Sequence, residues 1–555
     1  MAVMAASVFQ TLALVMLGVG LAIQASADPS RPFVWGETTH VADAGWGRMT
    51  RLQDGCWLGV NTLYPHPNSI LQLELSADGA RTWTPLATVA EPGRNLDNGE
   101  VIQLPGGDFL LTGRSVVDGR EMPRSYHLPV YRSGDGGKTW AFLSQIDTSE
   151  PPLTQARQPS VGLWEPHFFL LPDGRLACAY ANEKHAVATP SYSQIVSERA
   201  SADGGATWGK EIVLAAQVGG GGQRPGMPVL ARLKNGQYVA VYEVVGIGNA
   251  DVYFKTSRDG VSWPPGLGVR IPCQHAGPWM TVLTSGRVVV TSCENQISTS
   301  DDGGATWLLA TPPPWPIGHV LTWPAIYQTA PDTLAAMNTY HGIGIRWGKI
   351  VPVRPWPAVF TSEFSVGSDA GWTRYGGQYG FADGAYLLNN AGTTGKSLTG
   401  DPRWHDGTLE ADVMLTSAGN AGLLFRTTNA DFSGPDAAFG YYVGLDSTGS
   451  VFLSRSVNDY TELARAPRPV PLNTWQHVRV VLRGAVITVY VGNGKTPTLR
   501  ALDSFFGRGQ IGVRAHNCNA EFRRVRFQRL ASVSPGSGKR REGQARGPAP
   551  TSRGR

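Results

Sequence analysis

Residues Ser133–Trp140 read SGDGGKTW, and the same frame, Ser-x-Asp-x-Gly-x-Thr-Trp, returns at Ser76–Trp83 (SADGARTW, with Ala80 at the Gly position), Ser201–Trp208 (SADGGATW) and Ser300–Trp307 (SDDGGATW). A shortened copy runs Ser257–Trp263 (SRDGVSW). In each, Asp and Gly supply a tight turn and the Trp has the bulk to pack beneath it. A second turn precedes each copy: Leu52-Gln53-Asp54-Gly55, Leu104-Pro105-Gly106-Gly107, Leu171-Pro172-Asp173-Gly174, Leu233-Lys234-Asn235-Gly236 and Leu283-Thr284-Ser285-Gly286. Alternating apolar strands such as Tyr238-Val239-Ala240-Val241-Tyr242 flank these turns, and a degenerate sixth unit follows at Pro331-Asp332-Thr333-Leu334. Two turns and about four strands per unit, six times over, predict an all-β chain with a six-bladed β-propeller across residues 30–355. A single active site does not need five equivalent carboxylates, so Asp78, Asp135, Asp203, Asp259 and Asp302 are read as structural.

Composition agrees with strands and turns. The 555 residues include 68 Gly, 39 Pro and 17 Trp, and only 16% are charged. That excludes a coiled coil or helical bundle, and the apolar content excludes a disordered chain. The net charge of +5 is accounted for by Lys539, Arg540, Arg541, Arg546, Arg553 and Arg555 against Glu542, all in a Gly/Pro-rich tail (531–555) that reads as disordered. The folded part carries no basic excess, so a nucleic-acid partner is not expected. Leu12 to Ile23 is an apolar run too short to span a bilayer, ending in Ala25-Ser26-Ala27. It reads as a signal peptide (1–27) cleaved after Ala27, with a retained anchor as the alternative. A secreted monomer with no membrane association after cleavage is expected. Cys56, Cys178, Cys273, Cys293 and Cys518 form no Cys-x-x-Cys pair, so no metal site is expected. Cys273 and Cys293 are read either as a bridge between neighbouring strands or as buried free thiols. No cofactor is implied.

Because blades repeat, positions equidistant from the turn Gly are equivalent. Seven residues on stand Thr62, Arg114, Ala181, Glu243 and Cys293, and alignment of the degenerate unit from Thr333 puts Tyr340 there. These positions are expected to ring the central funnel, where ligands bind. Glu243 shares a strand face with Val239 and Val241, so its carboxylate leaves a buried face and needs a partner or a function. Glu165, followed by Pro166, begins the first strand of its unit, with Arg48 and Trp279 at comparable places in theirs. Two carboxylates on one funnel suit glycoside hydrolysis, one protonating the leaving oxygen while the other attacks carbon or activates water.

The repeated turn resembles the Asp box of sialidase-like propellers. Trp164-Glu165-Pro166, Arg224-Pro225-Gly226-Met227-Pro228 leading to Val241-Tyr242-Glu243, and Met337-Asn338-Thr339-Tyr340-His341-Gly342 resemble, in that order, segments of glycoside hydrolase family 93. The resemblance covers roughly residues 35–350. It implies an exo-acting, retaining arabinanase that releases arabinobiose from 1,5-linked α-L-arabinan. Glu165 would be the general acid/base, Glu243 the nucleophile and Tyr340 its support, with Arg48, Arg114, Trp164, Arg224, Trp279 and His341 as substrate contacts. An exo-sialidase on the same fold is the alternative, with Arg48, Arg114, Arg224 and Arg346 as candidates for an arginine clamp. Against it, Gly47-Arg48-Met49-Thr50 departs from the Arg-Ile-Pro of sialidases. A non-catalytic sugar-binding propeller is the third reading.

Beyond Trp356 the repeated turns stop. Alternating strands such as Gly407–Val413, Gly440–Asp446 and Ala485–Val491, with no helical pattern between them, predict a β-sandwich over 357–530. The pattern resembles concanavalin-like jelly rolls and carbohydrate-binding module family 66. Trp404, Asp406, Arg426 and Tyr441 are its candidate sugar contacts, fold-defining core and turn residues being the other reading.

Overall fold

The computed structural model describes residues 31–530, except 66, 118–124, 151–160, 353–354 and 365–366. The expected leader with its cleavage after Ala27, and the basic tail, lie outside the described residues. Among the described residues every regular element is a strand apart from one 3-10 turn, Lys184–Val187, and no helix is long and apolar enough to cross a membrane.

Six four-stranded antiparallel sheets form the propeller. Their first strands, Gly45–Arg51, Asn95–Gln103, Leu163–Leu170, Arg224–Arg232, Trp279–Val282 and Ala325–Ala330, stand side by side around the axis. They belong to blades one to six. The sixth blade takes its outermost strand from the start of the chain: Phe33–Ala42 pairs with Ile343–Ile350, Phe33 opposite Ile350. The repeated turns close on themselves as the sequence implies. Asp78 Oδ1 accepts from the Arg81 and Thr82 amides at 2.9 Å each, and Oδ2 accepts from the Thr82 hydroxyl at 2.6 Å. Asp135, Asp203, Asp259 and Asp302 each repeat the bonds to a backbone amide and to the Thr or Ser hydroxyl. All five carboxylates are thus engaged in their own turns.

One local irregularity recurs at the start of the inner strands and builds the axis. In blades one to four two residues of the inner strand oppose one of its neighbour: Trp46-Gly47, Asn98-Gly99, Glu165-Pro166 and Met227-Pro228. The first residue of each pair is left-handed, with φ of 46°, 50°, 47° and 53°. Gly277-Pro278 (φ 52°) and Trp323-Pro324 (φ 44°) continue the series in blades five and six. Such a bulge bends the strand and re-aims a side chain. Gly or Pro second in the pair suits the bend, since one lacks a Cβ and the other needs no ladder N–H.

The inner strands are therefore the ring, and the residues seven past the turn Gly stand one strand further out. The register also moves the sixth unit by one place. Ala325 faces Met337 as Val229 faces Val241, so the equivalent of Glu243 is Thr339, not Tyr340. Arg48 and Trp279 likewise match His167; the equivalents of Glu165 are Trp46 and Gly277.

The C-terminal strands, from Val359–Ser362 to Asn519–Arg529, form two facing sheets of eight and seven strands. Leu409, Val413, Val443, Val480 and Phe522 lie between them, all 1% exposed or less. A separate cluster joins the domains: Cys273 and Leu309 of the propeller pack with Leu398, Leu424, Tyr442 and Phe452 of the sandwich. All five cysteines are free thiols. Cys273 lies on a blade edge against the sandwich, its thiol 3.4 Å from the Ala430 carbonyl, whereas Cys293 lies near the axis, which rules out a bridge.

Candidate active site

The bulge turns Glu165 toward the next blade, where its Oε2 accepts from the Met227 amide at 3.3 Å. Met227 follows Gly226, which pairs with Glu243 across the sheet. Glu243 in turn accepts from the Gly277 amide of the fifth blade at 2.6 Å. The two predicted carboxylates thus lie on neighbouring blades, each held by a backbone amide of the blade after its own, with the charge of Glu243 felt at Glu165. Burial, and then the charge of Glu243, push the Glu165 carboxyl up to about 7. Glu243 is also raised by burial, against the Gly277 amide and Arg224, which favour its anion. Two carboxyls that sense each other titrate apart, because the charge left by the first proton lost makes the second harder to remove.

Asp97, which sequence reasoning missed, completes the acidic group. Arg114 donates to it through Nε (2.7 Å) and Nη2. Burial raises Asp97 against the pull of Arg114, and its charge adds to the upward pressure on Glu165. The Arg114 guanidinium also lies 4.5 Å from the ring centre of Trp164. A cavity of about 360 Å³ opens here, lined by Tyr64, Asn95, Asp97, Arg114, Tyr126 and Trp164 among others. Arg224, its side chain 44% exposed, donates to Glu183 at 2.5 Å and to Gln194 at 2.9 Å on the other flank.

Several expected contacts fall elsewhere. Arg48 is 3% exposed, clamped between Trp46 and Trp279 and bonded to the Gly47 and Trp323 carbonyls. Trp279 is 7% exposed. Together with Glu100, His167 and Val229 they line a water-sized gap of about 10 Å³ beneath Glu165. Arg48 and Trp279 are floor, not surface, because the two-residue bulge sets them below the rim. Tyr340 is 44% exposed and lies on His341, ring centres 4.0 Å apart. Among the described residues no hydrogen bond joins it to Glu165 or Glu243.

The four candidate sugar contacts of the sandwich are scaffold. Trp404 is 2% exposed and stacked on Phe527, Arg426 is 2% exposed and Tyr441 is fully buried. Arg426 binds Asp406 and the Gly484 carbonyl at 2.9 Å each, Asp406 also accepts from the Gly484 amide, and Tyr441 donates to Asp503. Long polar side chains on inward positions here reach the loops at the sandwich end instead of solvent.

A family model described as a 3-keto-alpha-glucoside-1,2-lyase-like domain matches residues 364–528. No curated protein matches the chain in sequence. Among solved structures, the chain is similar to the GH93 alpha-L-arabinofuranosidase of Fusarium graminearum in complex with arabinobiose (21% identity, 57% of this chain and 97% of that one, TM-score 0.48). It is also similar to an alpha-L-arabinanase of Penicillium chrysogenum complexed with arabinobiose (20% identity, 57% and 99%, TM-score 0.48). The carbohydrate-binding module CBM66 of Bacillus subtilis is a further match (20% identity, 28% and 94%, TM-score 0.25).

Proposed function

We propose that this chain is a glycoside hydrolase, exo-acting and retaining, that releases arabinobiose from 1,5-linked α-L-arabinan outside the cell. Glu165 is its general acid/base and Glu243 its nucleophile. The observation that carries the hydrolase reading is the carboxyl pair: two half-buried acids on neighbouring blades, one of them held up to about 7, as a general acid working near neutrality must be. Glu243, with the Gly277 amide on one oxygen, keeps the other for an anomeric carbon. Trp164 and the Arg114–Asp97 pair give the adjoining cavity a flat ring and fixed polar groups of the kind that hold a sugar. Tyr340 and His341 touch substrate at the rim. The arabinan specificity comes from the three segments that resemble family 93.

The sialidase alternative is the weaker one on geometry. A carboxylate clamp needs free guanidinium edges, but Arg48 is enclosed, Arg114 is taken by Asp97, and Arg346 donates to the Gly36 and Pro314 carbonyls. Incubating the purified chain with debranched arabinan, and separately with a fluorogenic sialoside, separates the readings. Arabinobiose is the expected product. Free sialic acid would establish the alternative, and no product from either would leave a sugar-binding propeller.

A further inference from the structure

The outer strand of blade four, Val269–His275, departs from its neighbour. Arg270 faces Tyr253 and His275 faces Asp251, so Ile271, Pro272, Cys273 and Gln274 crowd opposite the single residue Val252. Cys273 takes a left-handed φ of 61° in this excursion, which carries it to the sandwich. There its amide donates to Asp431 Oδ2 at 2.8 Å. Arg270 Nη1 lies 2.8 Å from the same oxygen, and Asp431 is 1% exposed. Arg270 is also ion-paired through Nε with Asp251 at 2.5 Å, and Asp251 with His275 Nε2 at 3.2 Å. His275 Nδ1 lies 3.2 Å from Glu294. Two residues beyond His275 is Gly277, whose amide holds Glu243. The intervening Ala276 is pinned by backbone bonds to Ala250 and Cys293.

We propose that Asp431, a sandwich residue, is a positioning residue for Glu243, acting through Arg270, Asp251 and His275 on the 275–277 segment. The inference rests on the reading of Glu243 as nucleophile. Its logic is charge balance in a partly dry place. Arg270 is shared between Asp431 and Asp251, and Asp251 between Arg270 and His275. Removing Asp431 leaves Arg270, whose Nη2 also lies 3.4 Å from His275 Nε2, with Asp251 as its one carboxylate, draws that carboxylate from His275, and frees the segment that presents the Gly277 amide. A displacement of the nucleophile by a fraction of an ångström lowers kcat without touching the sugar-binding walls.

The test compares Asp431→Asn, His275→Gln and the double variant on soluble arabino-oligosaccharide. Hydrogen exchange is followed in the peptide that contains Gly277. Expected are a kcat lower by about 2- to 30-fold in each single variant, an unchanged KM, faster exchange at Gly277, and a double variant no worse than the poorer single one. Asp431→Glu should regain part of the loss. Arg508→Ala removes a different contact between the domains, the pair with Asp302 at 3.4 Å, and should leave kcat and exchange unchanged. His275→Gln lies within the propeller and reports even where Asp431→Asn loosens the docking. Wild-type kcat and exchange in Asp431→Asn would overturn the proposal, as would equal losses in Arg508→Ala. Should the wild type release no sugar, the hydrolase reading fails by itself, and exchange at Gly277 still decides the positioning: faster supports it, unchanged overturns it.

Discussion

Glu165 sits where burial, Glu243 and Asp97 all disfavour its anion, opposed by one amide and by Arg114. The folded chain therefore holds this proton more tightly than the unfolded one. The sign of the linkage follows: wild-type stability falls as pH rises from about 4.5, the ordinary carboxyl value, through about 7. Glu165→Gln carries no charge to desolvate, so its melting temperature should equal that of wild type at pH 4 and exceed it at pH 8, measured by differential scanning fluorimetry. The same variant should lose about 10²- to 10⁴-fold in kcat on arabinan and recover on an aryl glycoside, whose departure needs no proton. Full activity of Glu165→Gln on arabinan would sink the assignment. Glu243 and Arg114 could be found by counting because each regular hairpin has one length. Tyr340 was misplaced because Pro331-Asp332 closes the sixth hairpin without a Gly, where Ala330 faces Thr333 directly. Asp97 stands on a first strand one place before the bulge, where Trp164 stands in blade three, and Asn95-Leu96-Asp97-Asn98 has the composition of an ordinary polar turn.

The element that turns an ordinary blade into a site is the bulge, and its signature was present in the sequence as an X-Gly or X-Pro pair at the start of every unit. Period-2 alternation is blind to it, since one extra residue shifts the faces of everything before it. A left-handed residue that is not Gly is uncommon, and five such starts, with Gly277 as the sixth, converging on one axis mark a built feature. Gly99 shows how tightly it is packed: a Cβ there would lie 2.6 Å from Val60 Cγ2 and 3.0 Å from Leu71 Cδ2. Gly99→Ala should lower unfolding stability by about 1–3 kcal/mol in urea titrations and reduce activity, because Asp97 precedes the same bend. A neutral result would show that the bend yields easily. The sandwich misled sequence reasoning for a related reason. Arg426 and Tyr441 look like a sugar platform on an alternating strand, yet here they fall on the inward face, with partners beyond its end.

On the scale of the whole molecule, the Cys273–Phe452 cluster and the buried Asp431 tie blades four and five to the sandwich. A buried ion pair that bridges two domains makes separate unfolding costly, because the first to open strands a charge. Scanning calorimetry of the full chain should show one cooperative transition, and two well-separated peaks would contradict the tie. The closure of the propeller has a consequence of another kind. Phe33 and Ile350 are partners although more than three hundred residues separate them, and joining ends that far apart costs about 5 kcal/mol of chain entropy. Five blades and three strands of the sixth must already stand in an arc before this is recovered, and until then the arc offers an unpaired strand edge to any neighbouring chain. During synthesis the first-made strand of the propeller therefore waits for its last-made one. The strand made first is the last to find its place, and the seam between beginning and end is where a ring of otherwise equivalent blades is opened or locked.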